Sequence, residues 1–255
     1  MKKQRMKKIL FLDILTGDKK LRKELEKQDC GSNADIKQIR RLAGLTKNQL
    51  VAIDGSKGKF PKPDRFAAII IGGSTEHPVR GYEKPWMKKV YKFIRKAARD
   101  NVPILGLCGG LQFTVKALGG EIIFNPEGRD FGNTRITLTK AGVKDKLFKG
   151  LAIKNIVLCS HKCIVKKLRG GWRLLAFSKK TPIEAIAIRE NIRLTQFHPE
   201  MSLELIKQLA KMRKNALIQE KLIKAEDFPK FLTSIKNTDR VGSKVLKNFI
   251  TYFVK

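Results

Sequence analysis

The chain has 255 residues, 42% of them apolar, which is enough to bury a full core and calls for no more than one domain. Its 55 Lys and Arg outnumber its 23 Asp and Glu, for a formal charge of +32. No run of about 18 uninterrupted apolar residues occurs, and the Lys-rich start from Met1 to Lys8 leads only into Ile9–Leu12 before Asp13, so it reads as neither membrane anchor nor secretion signal.

In chain order, short apolar, β-branched runs recur between polar or helical stretches, the pattern of an α/β protein with a mainly parallel central sheet flanked by helices. The expected strands are Lys8–Leu12, Phe66–Ile71, Val102–Leu107, Asn155–Cys159, Trp172–Phe177, Ile183–Ile188 and Arg193–Phe197. Between the second and third, Trp86, Val90, Phe93, Ile94 and Ala97 recur at helical spacing, predicting a helix over 85–100 with Pro85 in its first turn. From Glu121 to Leu138 short β segments broken by Asn125, Pro126, Gly128 and Gly132 predict a small β-rich edge. Beyond Glu200 the chain turns helical. A long basic helix is expected over Leu203–Lys224, a linker around Phe228, Pro229 and Asn237–Asp239, and a closing helix with Val241, Val245, Leu246, Phe249, Ile250 and Phe253 as its apolar stripe. The expected organisation is one domain over 1–255, with its core at about 7–200 and a helical extension over 201–255.

The positive charges are spread along the chain, with no aromatic platform, finger or RNA-binding signature among them, so they read as a solvated surface. Nucleic-acid binding is not expected, although such a field attracts polyanions and acidic partners. Cys30, Cys108, Cys159 and Cys163 lack paired CxxC spacing, so neither a metal site nor another cofactor is expected. A reduced, cytoplasmic protein is the simplest reading.

Chemistry concentrates in three segments. Gly106-Leu107-Cys108-Gly109-Gly110 places a cysteine between glycines where a buried strand hands over to a helix, the form of a nucleophile elbow. The following helix would point its N-terminus at the sulfur and favour thiolate. An isolated cysteine of this kind reads better as a core thiol, but two other segments shift the balance. Ala67–Ser74 is a hydrophobic strand ending in Gly72-Gly73, able to present a backbone N–H to an oxyanion. In Thr195–Glu200 a strand is expected to end on His198, with Glu200 two residues later and on the same side, completing a Cys-His-Glu relay.

These motifs, GxCxGxQ over 106–112 and QFHPE over 196–200, resemble those of the class I, or triad-type, glutamine amidotransferases, and the likeness runs from about Lys8 to Glu200. Glu83–Trp86, Gly128–Gly132 and Ser160-His161 with Val165 look most like the amidotransferase domain of GMP synthase and its stand-alone relatives. The resemblance implies a flavodoxin-like fold, with Cys108 as nucleophile, His198 as base and Glu200 as orienter. It also implies an oxyanion hole from the backbone N–H groups of Gly73 and Gly109, and substrate contacts from Gln112, Ser160, His161, Lys162 and Cys163. The sequence departs from that pattern in having Ser74 where many relatives carry proline, and Lys162-Cys163 where the GMP-synthase-like members carry glycine and aspartate.

The leading functional reading is a glutaminase that supplies ammonia to a partner synthase. A stand-alone γ-glutamyl hydrolase or peptidase is the second, and a non-catalytic binding or regulatory protein of the same fold is the third. Other residues read blandly: His77 as a loop histidine beside Pro78 in preference to one facing the active site, Cys159 as the end of a buried strand, and Glu127 and Asp130 as a surface loop in preference to cation ligands.

Overall fold

A computed structural model describes residues 8–254, so residues 1–7 of the Lys-rich start, and Lys255, lie outside the described residues. The chain runs β1 (Ile9–Asp13), α1 (Lys19–Lys27), α2 (Ser32–Ala43), β2 (Leu50–Asp54), β3 (Ala68–Ile71), α3 (Pro85–Arg99), β4 (Ile104–Leu107), α4 (Gly109–Ala117) and β5 (Ile122–Phe124). It continues through β6 (Asp130–Leu138), α5 (Lys140–Lys144), β7 (Lys154–His161), β8 (Cys163–Val165), β9 (Trp172–Ser178), β10 (Ala185–Ile188) and β11 (Ile192–Thr195). Four helices end it: α6 (Leu203–Met212), α7 (Lys214–Gln219), α8 (Phe228–Ser234) and α9 (Asp239–Phe253).

A nine-stranded sheet has the order β2-β1-β3-β4-β11-β10-β9-β6-β7. From β2 to β11 neighbouring strands are parallel, and from β11 to β7 they are antiparallel. The parallel strands β1, β3, β4 and β11 are buried on both faces, and the period of two divides their side chains between two cores. Leu10, Leu12, Ile69 and Ile71 join the cluster under α3 and α4, whereas Ile9, Phe11, Ala68 and Ile70 join the one under α2 and α9. Thus β1 and β3 read as continuous apolar runs.

The structure departs from expectation in several places. Over 13–65 the sequence reading placed no element, yet α1, α2 and β2 form there. Asp18 caps α1, accepting from the Lys20 and Leu21 N–H groups, and Gly44 ends α2 in the left-handed region at φ 72°. The apolar stripe of α1 is thin, and its only buried residue is Leu25. The helix expected over Leu203–Lys224 breaks at Arg213 into α6 and α7. The expected linker at Phe228 and Pro229 is the start of α8, with Pro229 in the first turn, where its missing N–H is harmless. Asp130 and Cys159 are buried within strands, not in a surface loop or at a strand end.

Candidate active site

Cys108 occupies the turn between β4 and α4 at φ 48° and ψ −97°, a backbone conformation that L-residues rarely adopt. The parallel ladder holds it there, since the Cys108 N–H donates to the Thr195 carbonyl at 2.8 Å. The glycines around it are required by contact. A Cβ on Gly110 would lie 2.2 Å from the Ile71 carbonyl oxygen, and one on Gly109 would lie 2.5 Å from the Ser74 nitrogen and 3.0 Å from the Gly73 carbonyl carbon. The elbow is therefore pressed against the end of β3, which brings Gly109 beside Gly73.

His198 and Glu200 follow β11 in an irregular segment, because the strand stops at Thr195 instead of running on to His198. A turn, not an extended strand, brings the pair together, with His198 Nδ1 lying 2.7 Å from Glu200 Oε1. The backbone fixes the imidazole too: the His198 N–H donates to the Leu158 carbonyl at 2.9 Å. Burial alone would push the His198 pKa down, but the electrostatic pull of Cys108 and of Glu200 outweighs that and holds it well above the ordinary histidine value. The glutamate is 1% exposed, so its charge is insulated from solvent.

Gln196, which carried no role in the sequence reading, completes the arrangement together with Gln112. Gln196 Nε2 donates to Cys108 Sγ at 3.6 Å, and its Oε1 accepts from Gln112 Nε2 at 3.3 Å. Gln112 Nε2 also donates to the Cys163 carbonyl at 3.0 Å, so this glutamine shapes the wall. Gln196 lies inside the QFHPE motif, which was the signal available for it.

Above the thiol lies a cavity of about 170 Å³ whose lining includes Cys108, Gln112, Ser160, His161, Lys162 and Cys163, together with Ser74, Glu76, His77, Arg129 and Arg213. All five residues expected to contact substrate therefore meet there. His77 sits in a loop as expected but also faces this cavity, with Nδ1 3.5 Å from Cys163 Sγ. That pair is not a second ionised dyad, since burial pushes the Cys163 thiol up to about 12 and the His77 imidazole down. Burial, with His198 nearby, takes His161 down to about 3 and keeps it neutral.

The C-terminal helices reach back over this cavity. Arg213, at the α6–α7 break, donates to Ser160 Oγ at 2.6 Å. Glu220, just past α7, accepts from Arg129 through both carboxylate oxygens and lies 2.5 Å from Lys162 Nζ. Hydrogen bonding from Arg129, then from Lys162, holds the Glu220 carboxyl down at about 2. The segment between His198 and Glu200 is buttressed from behind as well: a Cβ on Gly242 of α9 would lie 2.0 Å from the Pro199 carbonyl oxygen.

Comparisons with known proteins identify the family and the fold. The family model for glutamine amidotransferase class-I matches residues 28–218. GMP synthase (glutamine-hydrolysing) of Aquifex aeolicus is 31% identical over 156 residues, covering 61% of this chain and 28% of that protein. Gamma-glutamyl peptidase 4 of Arabidopsis thaliana is 26% identical over 155 residues, covering 58% of this chain and 61% of that protein. The chain thus spans less than a third of the length of the Aquifex GMP synthase. Among solved structures, a glutamine amidotransferase from Thermotoga maritima aligns with a TM-score of 0.74 at 18% identity, covering 97% of this chain and 98% of the other. One from Methylobacillus flagellatus aligns at 0.70 and 14%, covering 96% and 95%. At such identities the structural likeness establishes the fold, and the family match over 28–218 carries the assignment: the chain belongs to the class I glutamine amidotransferases.

Proposed function

We propose that this protein hydrolyses the side-chain amide of glutamine to glutamate and ammonia through a thioester on Cys108. The observation that carries the proposal is the elbow conformation of Cys108, set beside Gly73 and Gly109 and served by the His198–Glu200 pair at 2.7 Å. Cys108 gives its proton to His198, and the sulfur attacks the amide carbon. The oxygen of the resulting tetrahedral species takes its hydrogen bonds from the Gly73 and Gly109 N–H groups. His198 then protonates the departing nitrogen, which leaves as ammonia. Next it takes a proton from water, whose oxygen attacks the thioester and regenerates the thiol while glutamate leaves. Glu200 holds the ring in one tautomer and stabilises the imidazolium formed in each half-reaction. Ammonia would pass to a partner synthase, a reading supported by the relatives named glutamine-hydrolysing GMP synthases.

A second reading, hydrolysis of another γ-glutamyl compound by the same residues, is favoured by the cationic rim. Arg129, Lys162 and Arg213 all line the cavity, and Lys162-Cys163 replaces the glycine and aspartate of GMP-synthase-like members. The test is mass-spectrometric turnover of glutamine, γ-glutamyl peptides and γ-glutamyl amines by the protein and by Cys108→Ala. Ammonia from glutamine that vanishes in the variant supports the first reading, and turnover of the other compounds alone supports the second. An absence of adduct and turnover with every substrate overturns both.

A further inference from the structure

The sequence separates Asp130, Cys159, His161 and Glu184, and the fold gathers them. Strand β7 carries Cys159 and His161 two residues apart, hence on one face, and Asp130 is the cross-strand partner of His161 in β6. Glu184 comes from the segment just before β10, held by its N–H to the Ala176 carbonyl and by its carbonyl to the Gln196 N–H. One ligand-type atom from each of the four lies within 4.8 Å of all the others, and every one of these residues is buried.

The polar atoms of this cluster lack partners. Eleven buried side-chain N and O atoms have no hydrogen-bond partner among the described residues, and five belong here: Asp130 Oδ2, both ring nitrogens of His161 and both carboxylate oxygens of Glu184. A buried polar group left unpartnered costs about 1–3 kcal/mol, and more when it is charged. The Ser178 side chain approaches the Glu184 carboxylate and the Cys163 backbone approaches the His161 ring, but neither contact has hydrogen-bond geometry, and five such atoms in one place suit a ligand. Nearby side-chain cations do not fill that role. Lys180 Nζ donates to the Arg129 carbonyl, and the Arg129 guanidinium pairs with Glu220. Asp130 Oδ1 accepts from Thr134 Oγ1 at 2.7 Å, which leaves Oδ2 free to point elsewhere.

We propose that Asp130, Cys159, His161 and Glu184 form a buried structural site for a divalent transition-metal ion, with zinc as the fitting ion. A thiolate, an imidazole and two carboxylates are a mixed S, N and O set, which suits zinc and not the all-oxygen preference of calcium or magnesium. Metal–ligand bonds of about 2.0–2.3 Å in a tetrahedron place ligand atoms about 3.3–3.8 Å apart, so the set closes by side-chain movements of about 1 Å. Three anionic ligands and a neutral imidazole around a dication carry one net negative charge. The exposures of 0% for Cys159 and Glu184 describe a closed site, loaded during folding, with no open position for a reacting water. The ion would tie β6, β7 and the lead into β10 behind the catalytic cavity, which His161 also lines. Paired CxxC spacing is blind to such a site because its ligands come from three segments of different strands.

The test uses the full chain, unfolded and stripped with chelator, refolded in the presence of zinc and then dialysed against metal-free buffer, with metal counted by mass spectrometry. About one zinc per chain is expected in the parent and equally in Cys108→Ala, with loss in Cys159→Ser combined with Glu184→Gln. Cobalt loaded into the parent should give the visible bands of a tetrahedral ion and a near-ultraviolet thiolate charge-transfer band, the latter absent in Cys159→Ser. Because the cobalt spectrum is read on the unaltered protein, it stands even where a variant fails to fold. The proposal is overturned by a parent chain that retains no metal, by a cobalt spectrum without the thiolate band, or by metal that disappears in Cys108→Ala and so belongs to the catalytic thiol.

Discussion

His198 Nδ1 and Glu200 Oε1 meet at 2.7 Å across the single residue Pro199, both side chains buried beneath the cavity floor. In the proposed mechanism the carboxylate stabilises the imidazolium, so Glu200→Gln should lower the rate of glutamine hydrolysis by up to about 10⁴-fold while leaving the fold intact. The pH profile should move in a defined direction. His198 is held above its ordinary value partly by Glu200, so removing that charge lowers the His198 pKa. The limb of kcat/KM that reports loss of the imidazolium proton should therefore shift to lower pH in the variant. An unshifted limb would mean that Glu200 does not set the charge of the ring.

Gly242 lies outside the family match, yet its helix touches the catalytic segment through Pro199. A methyl group at 2.0 Å from the Pro199 carbonyl oxygen cannot be absorbed by rotating a side chain, because the obstacle is backbone. Gly242→Ala should destabilise the protein by about 1–3 kcal/mol in urea denaturation. It should also reduce kcat, since the strain is relieved by displacing His198 and Glu200. A change in stability with kcat preserved would show that α9 yields instead.

Arg213 and Glu220 bring the C-terminal segment to the cavity rim. Arg213→Ala removes a charge-assisted hydrogen bond to Ser160, a type worth about 1.5–3 kcal/mol, and should raise KM by about tenfold or more with a smaller effect on kcat. Glu220→Gln should alter KM for glutamine and for γ-glutamyl peptides unequally, because it releases Arg129 and Lys162 from their shared partner.

For Glu220 the sign of the acid dependence is fixed by its lowered pKa. Its contribution to stability is present above the unfolded carboxyl value and is lost only as pH falls toward about 2. Substrate affinity from pH 5 to 8 should therefore show no step from this group, as KM measured across that window would reveal.

Arg193 and Asp145 form a buried ion pair, 2.9 Å between Nε and each carboxylate oxygen, with both side chains 4% exposed. The Arg193 guanidinium also lies 4.7 Å from the Phe253 ring centroid, tying β11 to α9. Asp145→Ala leaves a buried cation without its anion and should cost about 3–5 kcal/mol in equilibrium unfolding, with little change in KM for the folded fraction.

The parallel half of the sheet was legible because doubly buried strands must be apolar at every position, as Ala67–Ile71 and Pro103–Leu107 are. Helix α3 was legible from its 3.6-residue stripe, whereas α1 and α2 were missed because little of their surface is buried and their charged residues blur the period. The break at Arg213 was invisible because the sequence there contains neither Gly nor Pro.

For the site, the sequence by itself singled out Cys108, His198 and Glu200 as the proposed nucleophile, base and orienter. Their chemistry demands particular residue types in short local motifs: small residues around an elbow thiol, and a carboxylate within one turn of the histidine. Only the tertiary structure decided that Gln196 touches the thiol, that Arg213 and Glu220 cover the cavity, and that Asp130, Cys159, His161 and Glu184 share one buried hollow. Those relationships join residues tens of positions apart. They depend on strand register and helix docking, which the packing of the whole core fixes and no local pattern encodes.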